Sequence, residues 1–278
     1  MKGKRFQNNP ATLVAVLAAF FLGSTAALAQ SDAELEAEAA KEFARIKAQA
    51  PLTTDQDIID YIACVANSVV SVLEPPDSDL HWEMAIVETQ ELNAFVMPGG
   101  KIVIYEGILR AARNQHQLAA VIGHEIAHVT AEHTKRKLLS GGGKSMEIGI
   151  QVAAVLLGAG NYGATYTAQE MLNQGAMYGI LLPYKRGQET EADVIGLQYM
   201  AMAGFDPRAA VPLWQNMQEE AGGQGPAEFA STHPSSENRI ESLISQWTEV
   251  LPLYNQAHAE GRIPDCPTPE KLIETSKE

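Results

Sequence analysis

Two histidines four residues apart, with an acid beside the first, stand in the middle of an apolar run: His124-Glu125-Ile126-Ala127-His128. Around them Leu118, Val121, Ile122, Ile126 and Val129 recur with helical spacing. On a helix this spacing puts both imidazoles on one face, about 6 Å apart, where both can reach one Zn²⁺ at about 2.0–2.1 Å. Glu125 is rotated around the helix, towards a water instead of the metal. A carboxylate there can take that water's proton and pass it to a leaving group. Without a cation, a His-Glu-His set inside an apolar helix carries a desolvation penalty. The motif therefore predicts a buried metal centre. It also constrains the fold, because the histidine face must meet a second element that completes the ligand set.

A catalytic zinc takes three protein ligands and keeps one position open. The histidines close by in sequence do not supply the third ligand. A ten-residue spacing from His124 falls on Thr134. On a helix continuing to about Leu139, His133 faces away, and His116, two turns before His124, is too distant to share the ion. Gln188-Glu189-Thr190-Glu191-Ala192-Asp193, on a later helix, offers carboxylates instead. Glu189 and Asp193 share a face, so one can ligate while the other accepts a hydrogen bond from a ligand histidine. Glu191 points the other way.

The rest of the chain reads as α+β, mainly helical. Ser31 to Ala50 and Asp57 to Leu73 carry apolar stripes of helical period. Trp82 to Glu88 and Lys101 to Tyr105 predict short strands of a small sheet beside the HExxH helix, with Pro98-Gly99-Gly100 as a tight turn. Asn114 is the expected cap of the central helix, with Gln117 three residues on. The second ligand helix spans Gln188 to Met202 and stops at Gly204. Asp206-Pro207 starts the helix carrying Trp214 and Met217, and a last helix covers about Ser236 to Val250. Gly141 to Leu182 joins the two ligand helices, so it must pass near the cleft. Its glycines lower the cost of rearrangement, which makes it a candidate cover for the site; the alternative is a permanently packed pair of helices.

Lys2, Lys4 and Arg5, the apolar run Ala11 to Leu22 and Ala27-Leu28-Ala29 predict a leader over 1–29. A single domain over 30–278 is then expected in an exported, periplasmic protein. In an oxidising compartment Cys64 and Cys266 predict one disulfide. It would close a loop of about 200 residues and stabilise by about 5 kcal/mol on the chain-entropy account. A formal net charge of −14 argues against nucleic acid as a partner, since phosphates would be repelled.

The order of the motifs resembles one known family, the zinc metallopeptidases that include the type I CAAX prenyl endopeptidases, the mitochondrial inner-membrane stress peptidase and bacterial envelope quality-control proteases. The resemblance rests on Asn93-Ala94-Phe95 with Pro98-Gly99-Gly100, the HExxH segment, Glu189 to Asp193 followed by Gly196, Gly204-Phe205-Asp206-Pro207, and Ser231-Thr232-His233-Pro234 with Arg239-Ile240. It covers roughly Ile58 to Ile244. It implies a zincin-type fold, one Zn²⁺ per chain, Glu189 as third ligand with Asp193 behind the ligands, and His233 and Arg239 near the active site. His233 would there either stabilise an oxyanion or hold the open position as a reversible ligand. Peptidases of this type bind substrate as an added strand, which assigns Asn93, Ala94 and Phe95 to substrate binding; the alternative is a purely structural hairpin.

The expected function is a zinc-dependent endopeptidase that cleaves misfolded or misassembled cell-envelope proteins. Its partners would be protein or peptide substrates, with peripheral contact to a membrane or to outer-membrane assembly machinery. The competing readings are a chaperone-like client binder with little proteolysis and a zinc hydrolase of another class.

Overall fold

A computed structural model describes residues 33–140, 183–220, 233, 238–270 and 272. The expected leader and the whole Gly141–Leu182 segment lie outside the described residues. Helix α1 (residues 33–49) leads to α2 (Gln56–Val70), β1 (Glu83–Val87), β2 (Ala94–Met97), β3 (Lys101–Tyr105), α3 (Gln115–Thr130) and α4 (His133–Ser140). After the gap in description come α5 (Arg186–Met202), α6 (Ala210–Glu220), α7 (Arg239–Ser245) and α8 (Trp247–Ala259).

The sheet has the order β1-β3-β2, with β1 parallel and β2 antiparallel to β3. Side chains alternate across it, as the two-residue period of a strand requires. Ile86, Ala94, Val96, Ile102 and Ile104 enter the main core with α2 and α3. Ala85, Val87, Phe95, Met97 and Val103 face the other way and are covered by Ala39 and Phe43 of α1. Both faces of the sheet are therefore buried, and the small sheet expected beside the HExxH helix is present. Ala94–Met97 pairs with β3 in register Ala94↔Ile104 to Met97↔Lys101, a hairpin about the Pro98-Gly99-Gly100 turn.

The caps explain where the helices start. Asp55 accepts from the backbone of Asp57 and Ile58 at the head of α2. Asn114 Oδ1 accepts from His116 and Gln117, both at 3.0 Å, at the head of α3. Gly204, at φ 89°, ends the turn after α5. Asp206 Oδ1 then accepts from Arg208 N to open the turn into α6. Cys64 on α2 is bonded to Cys266 in the C-terminal segment, 202 positions later, so the expected disulfide is formed.

The central helix is shorter than the expected span to about Leu139. It ends at Thr130, Glu132 adopts φ 54°, and α4 restarts at His133. A left-handed residue other than glycine costs about 1–2 kcal/mol. Here the reversal turns His133 and Thr134 inward, where both are buried and hydrogen-bonded. The expectation that His133 faces away assumed an unbroken helix and is corrected by this break.

α3 and α5 cross where each carries a glycine. A Cβ on Gly196 would sit 2.8 Å from His124 N, and one on Gly123 would sit 2.8 Å from Gly196 O. Both contacts are with backbone, so no side chain can yield to relieve them. Gly196→Ala is expected to push the helices apart and destabilise by about 1–3 kcal/mol, read as a lower denaturant midpoint, with weaker zinc uptake than the wild type. Unchanged values for both would show that the crossing tolerates a wider spacing.

Candidate metal centre

α3 presents His124 and His128 on its interior face, one turn apart, and α5 lays Glu189 and Asp193 across them. All four are buried. His233 and, from α7, Arg239 complete the group and are buried too. One atom each of His124, His128, Glu189 and His233 lies within 4.8 Å of every other, and this is the metal-capable cluster found among the described residues.

Its geometry can be tested against zinc. His124 Nε2 is 3.1 Å from His128 Nε2, 3.2 Å from His233 Nδ1 and 3.5 Å from Glu189 Oε2. Glu189 Oε1 is 3.3 Å from His128 Nε2 and 3.2 Å from His233 Nδ1. A tetrahedron with ligands about 2.0–2.1 Å from its centre has edges of about 3.3 Å. Each donor residue therefore stands near that edge length from at least two of the others, and three nitrogens with a carboxylate suit zinc.

The surroundings orient the ligands. His124 Nδ1 donates to Asp193 Oδ1 at 3.0 Å, since an ionised carboxylate only accepts, and Nε2 is thereby left to face the centre. Arg239 donates to the same Asp193 oxygen at 2.6 Å and to Glu189 Oε2 at 3.3 Å. Its guanidinium lies 3.5 Å above the Trp214 ring, a cation–π contact on the side away from the acids. Tyr184 stacks on His128 with centroids 3.7 Å apart, and its hydroxyl is hydrogen-bonded to that of Thr134.

The ionisation states follow from burial set against these charges. Burial would raise the Glu189 carboxyl, but the charge of His233 and hydrogen bonds from His124, His128 and His233 outweigh it and hold the group far below the usual carboxylate range. Burial opposes the charged form of His124, yet Asp193 and Glu189 raise it to about 9. His128 and His233 are pushed down by burial, His128 well below its ordinary value and His233 to about 4. Glu125 is buried beside the cluster, with Oε1 3.3 Å from His233 Nε2.

Every residue expected at the centre from the motif or from the resemblance is therefore placed there: His124, Glu125, His128, Glu189, Asp193, His233 and Arg239. His116 is elsewhere, accepting from Asp206 N at 3.2 Å. Glu191 is outside the ligand group, as expected, but contacts His133 at 2.9 Å. Sequence reasoning missed Tyr184 and Trp214 as parts of the site. Neither carries a local signal, because their roles exist only once α4, α6 and α7 are packed. Asn93, Ala94 and Phe95 lie at the start of β2, an edge strand against which α3 packs.

Comparison with known proteins agrees with this geometry. The model of Peptidase family M48 matches residues 59–246. The chain belongs to that family. Family membership agrees with the zincin-type fold that the resemblance implied and with a donor set able to hold zinc. The mitochondrial metalloendopeptidase OMA1 of Schizosaccharomyces pombe is 38% identical over 207 residues, covering 74% of this chain and 56% of that protein. Its counterpart in Saccharomyces cerevisiae is 37% identical, covering 67% of this chain and 51% of the relative. The β-barrel assembly-enhancing protease of Escherichia coli is 28% identical, covering 77% of this chain and 44% of its own. The chain thus spans about half the length of these relatives.

The M48 relatives correct one expectation. An exported, periplasmic location was expected from the N-terminal pattern, but the matches at 38% and 37% identity are mitochondrial enzymes. A leader-like N-terminus does not distinguish those compartments. Among the described residues no helix is long and apolar enough to cross a membrane.

Arg239 is the cation that neutralises Glu189 and Asp193 from behind. Arg239→Met is expected to cost about 3–5 kcal/mol, the range for leaving buried charges without their partner, and urea unfolding of the zinc-free protein measures it. A loss below about 1 kcal/mol would mean that the histidines alone carry the balance.

Proposed function

We propose that the chain cleaves extended segments of misfolded or misassembled proteins at a zinc held by His124, His128 and Glu189, with Glu125 as general base. The observation that carries this is the convergence of four buried donor groups, all within 4.8 Å of one another, with the Glu125 carboxylate buried alongside. Zinc bound there supplies Lewis acidity, which lowers the pKa of a water towards about 7 and polarises a peptide carbonyl. Glu125 takes the proton of the attacking water and returns it to the amide nitrogen as the C–N bond breaks. Asp193 keeps the proton of His124 on Nδ1, and Arg239 holds Asp193 and Glu189 in place.

His233 Nδ1 stands at the fourth corner of the donor set. A substrate carbonyl needs that corner, so this arrangement supports His233 as a reversible ligand that keeps the resting site closed. The oxyanion-stabilising role is open to the same residue once its ring has turned away.

β2 supports strand-wise binding of substrate. Among the described residues no other strand pairs with its outer edge. A peptide added at Asn93, Ala94 and Phe95 would be held through main-chain hydrogen bonds, which demand extension more than a particular sequence. Such selection suits unfolded clients. A relative named for enhancing β-barrel assembly supports placing those clients among proteins that fail to assemble, with contact to assembly machinery as the associated partner.

Two variants test the assignment. Glu125→Gln should keep zinc and lose about 10²–10⁴-fold in casein cleavage; retained turnover would remove Glu125 as the base. If Glu125→Gln instead suppressed client aggregation as well as the active protein does, the chaperone-like reading would gain. Glu189→Ala should lower zinc affinity by more than about 100-fold, beyond the loss typical of a residue that only supports a ligand. Full zinc occupancy in that variant would exclude Glu189 as a ligand.

A further inference from the structure

The two ligand histidines are held differently. His124 rests directly on a carboxylate, whereas His128 rests on a second imidazole: His128 Nδ1 is 3.0 Å from His133 Nδ1. Two ring nitrogens at that distance need one donor and one acceptor, and the pair alone does not say which is which. The far side of His133 decides it. His133 Nε2 is 2.9 Å from Glu191 Oε2, and the Glu191 side chain is 52% exposed, so its carboxylate is ionised and accepts only. In a neutral His133 ring, a proton on Nδ1 would leave the Nε2 lone pair facing that negative charge.

We propose that Glu191 and His133 are positioning residues for His128, acting in sequence. Glu191 holds the proton of His133 on Nε2, His133 Nδ1 accepts from His128 Nδ1–H, and His128 is thereby fixed in the tautomer that offers Nε2 to zinc. The inference rests on the zinc-site reading above and goes beyond it, because neither residue belongs to the ligand cluster. The break at Glu132 is what makes the relay geometrically available, since on a continuous helix His133 would not return to His128. His133 is fully buried between its two partners, so the chain of hydrogen bonds runs from the centre to a surface acid.

The relay makes zinc affinity depend on an acid that never touches the ion. Zinc affinity is measured by competition with a chromophoric chelator, for the wild type, Glu191→Ala, His133→Leu and His133→Gln. Glu191→Ala, at a half-exposed position, is expected to fold and to bind about 10-fold more weakly, and His133→Leu up to about 100-fold more weakly. His133→Gln is expected to recover most of that loss, because its amide oxygen can accept from His128 Nδ1–H. In the zinc-loaded wild type, ¹⁵N spectra of the histidine rings should show the His133 proton on Nε2, and Glu191→Ala should redistribute it. A wild-type His133 protonated on Nδ1, or a Glu191→Ala variant within twofold of wild-type affinity and with an unchanged His133 spectrum, overturns the relay alone. A wild type that takes up no zinc overturns the zinc reading and the relay with it.

Discussion

The backbone contact between α3 and α5 sets the dimensions of everything built on it. Gly123 and Gly196 let the two helices approach until the path of one runs against the main chain of the other. Only at that separation do short acidic side chains on α5 reach imidazoles on α3. Glu189 reaches both ligand histidines, and Asp193, one turn along, meets the other nitrogen of His124. A methyl group at the crossing would have to be accommodated by backbone, and a displacement of a few tenths of an ångström would spread through the whole donor set. The site is thus a property of a helix–helix distance before it is a property of its ligands.

That closeness has an electrostatic consequence. Glu125, Glu189 and Asp193 share a buried interior with three imidazoles, where an uncompensated charge is costly. The cluster is stable because Glu189 and Asp193 each have a donor on more than one side. Glu189 lies among His124, His128, His233 and Arg239, and Asp193 lies between His124 and Arg239. Trp214 covers the guanidinium and keeps water from competing for it. A divalent cation at the centre of the donor set adds positive charge where the acids already hold protons in place, so the protein is prepared for the metal by the same contacts that stabilise it.

Much of this was legible in the sequence because it depends on spacing along one helix. The pairing of His124 with His128 needs only the α-helical period, and the relation of Glu189 to Asp193 needs the same. Asn114, Gly204 and Asp206 mark helix ends by local chemistry, and each acts where expected. The order of motifs along the chain supplied the distant partners, His233 and Arg239, which no spacing could have joined to the centre. Three things were not legible. Which strand stands at the edge is decided only by pairing, since β3 lies between β1 and β2. Tyr184 and Trp214 matter through packing between elements distant in sequence. The turn at Glu132 follows the apolar pattern with no glycine to announce it.

The turn at Glu132 also makes the two halves of the HExxH motif unequal. His124 is braced by Asp193, an acid that is itself held by Arg239 within the core. His128 is braced through His133 by Glu191, whose carboxylate stands in water. An interior brace is insulated from solvent, and a surface brace is screened by it, so the two histidines are held under different dielectric conditions. Burial disfavours the charged form of both, but adjacent acids outweigh it and make His124 basic, whereas His128 is pushed down. A symmetric motif in the sequence therefore folds into an asymmetric centre. The asymmetry originates in one left-handed residue, because without Glu132 the helix would run on and His128 would face the interior with no partner at Nδ1.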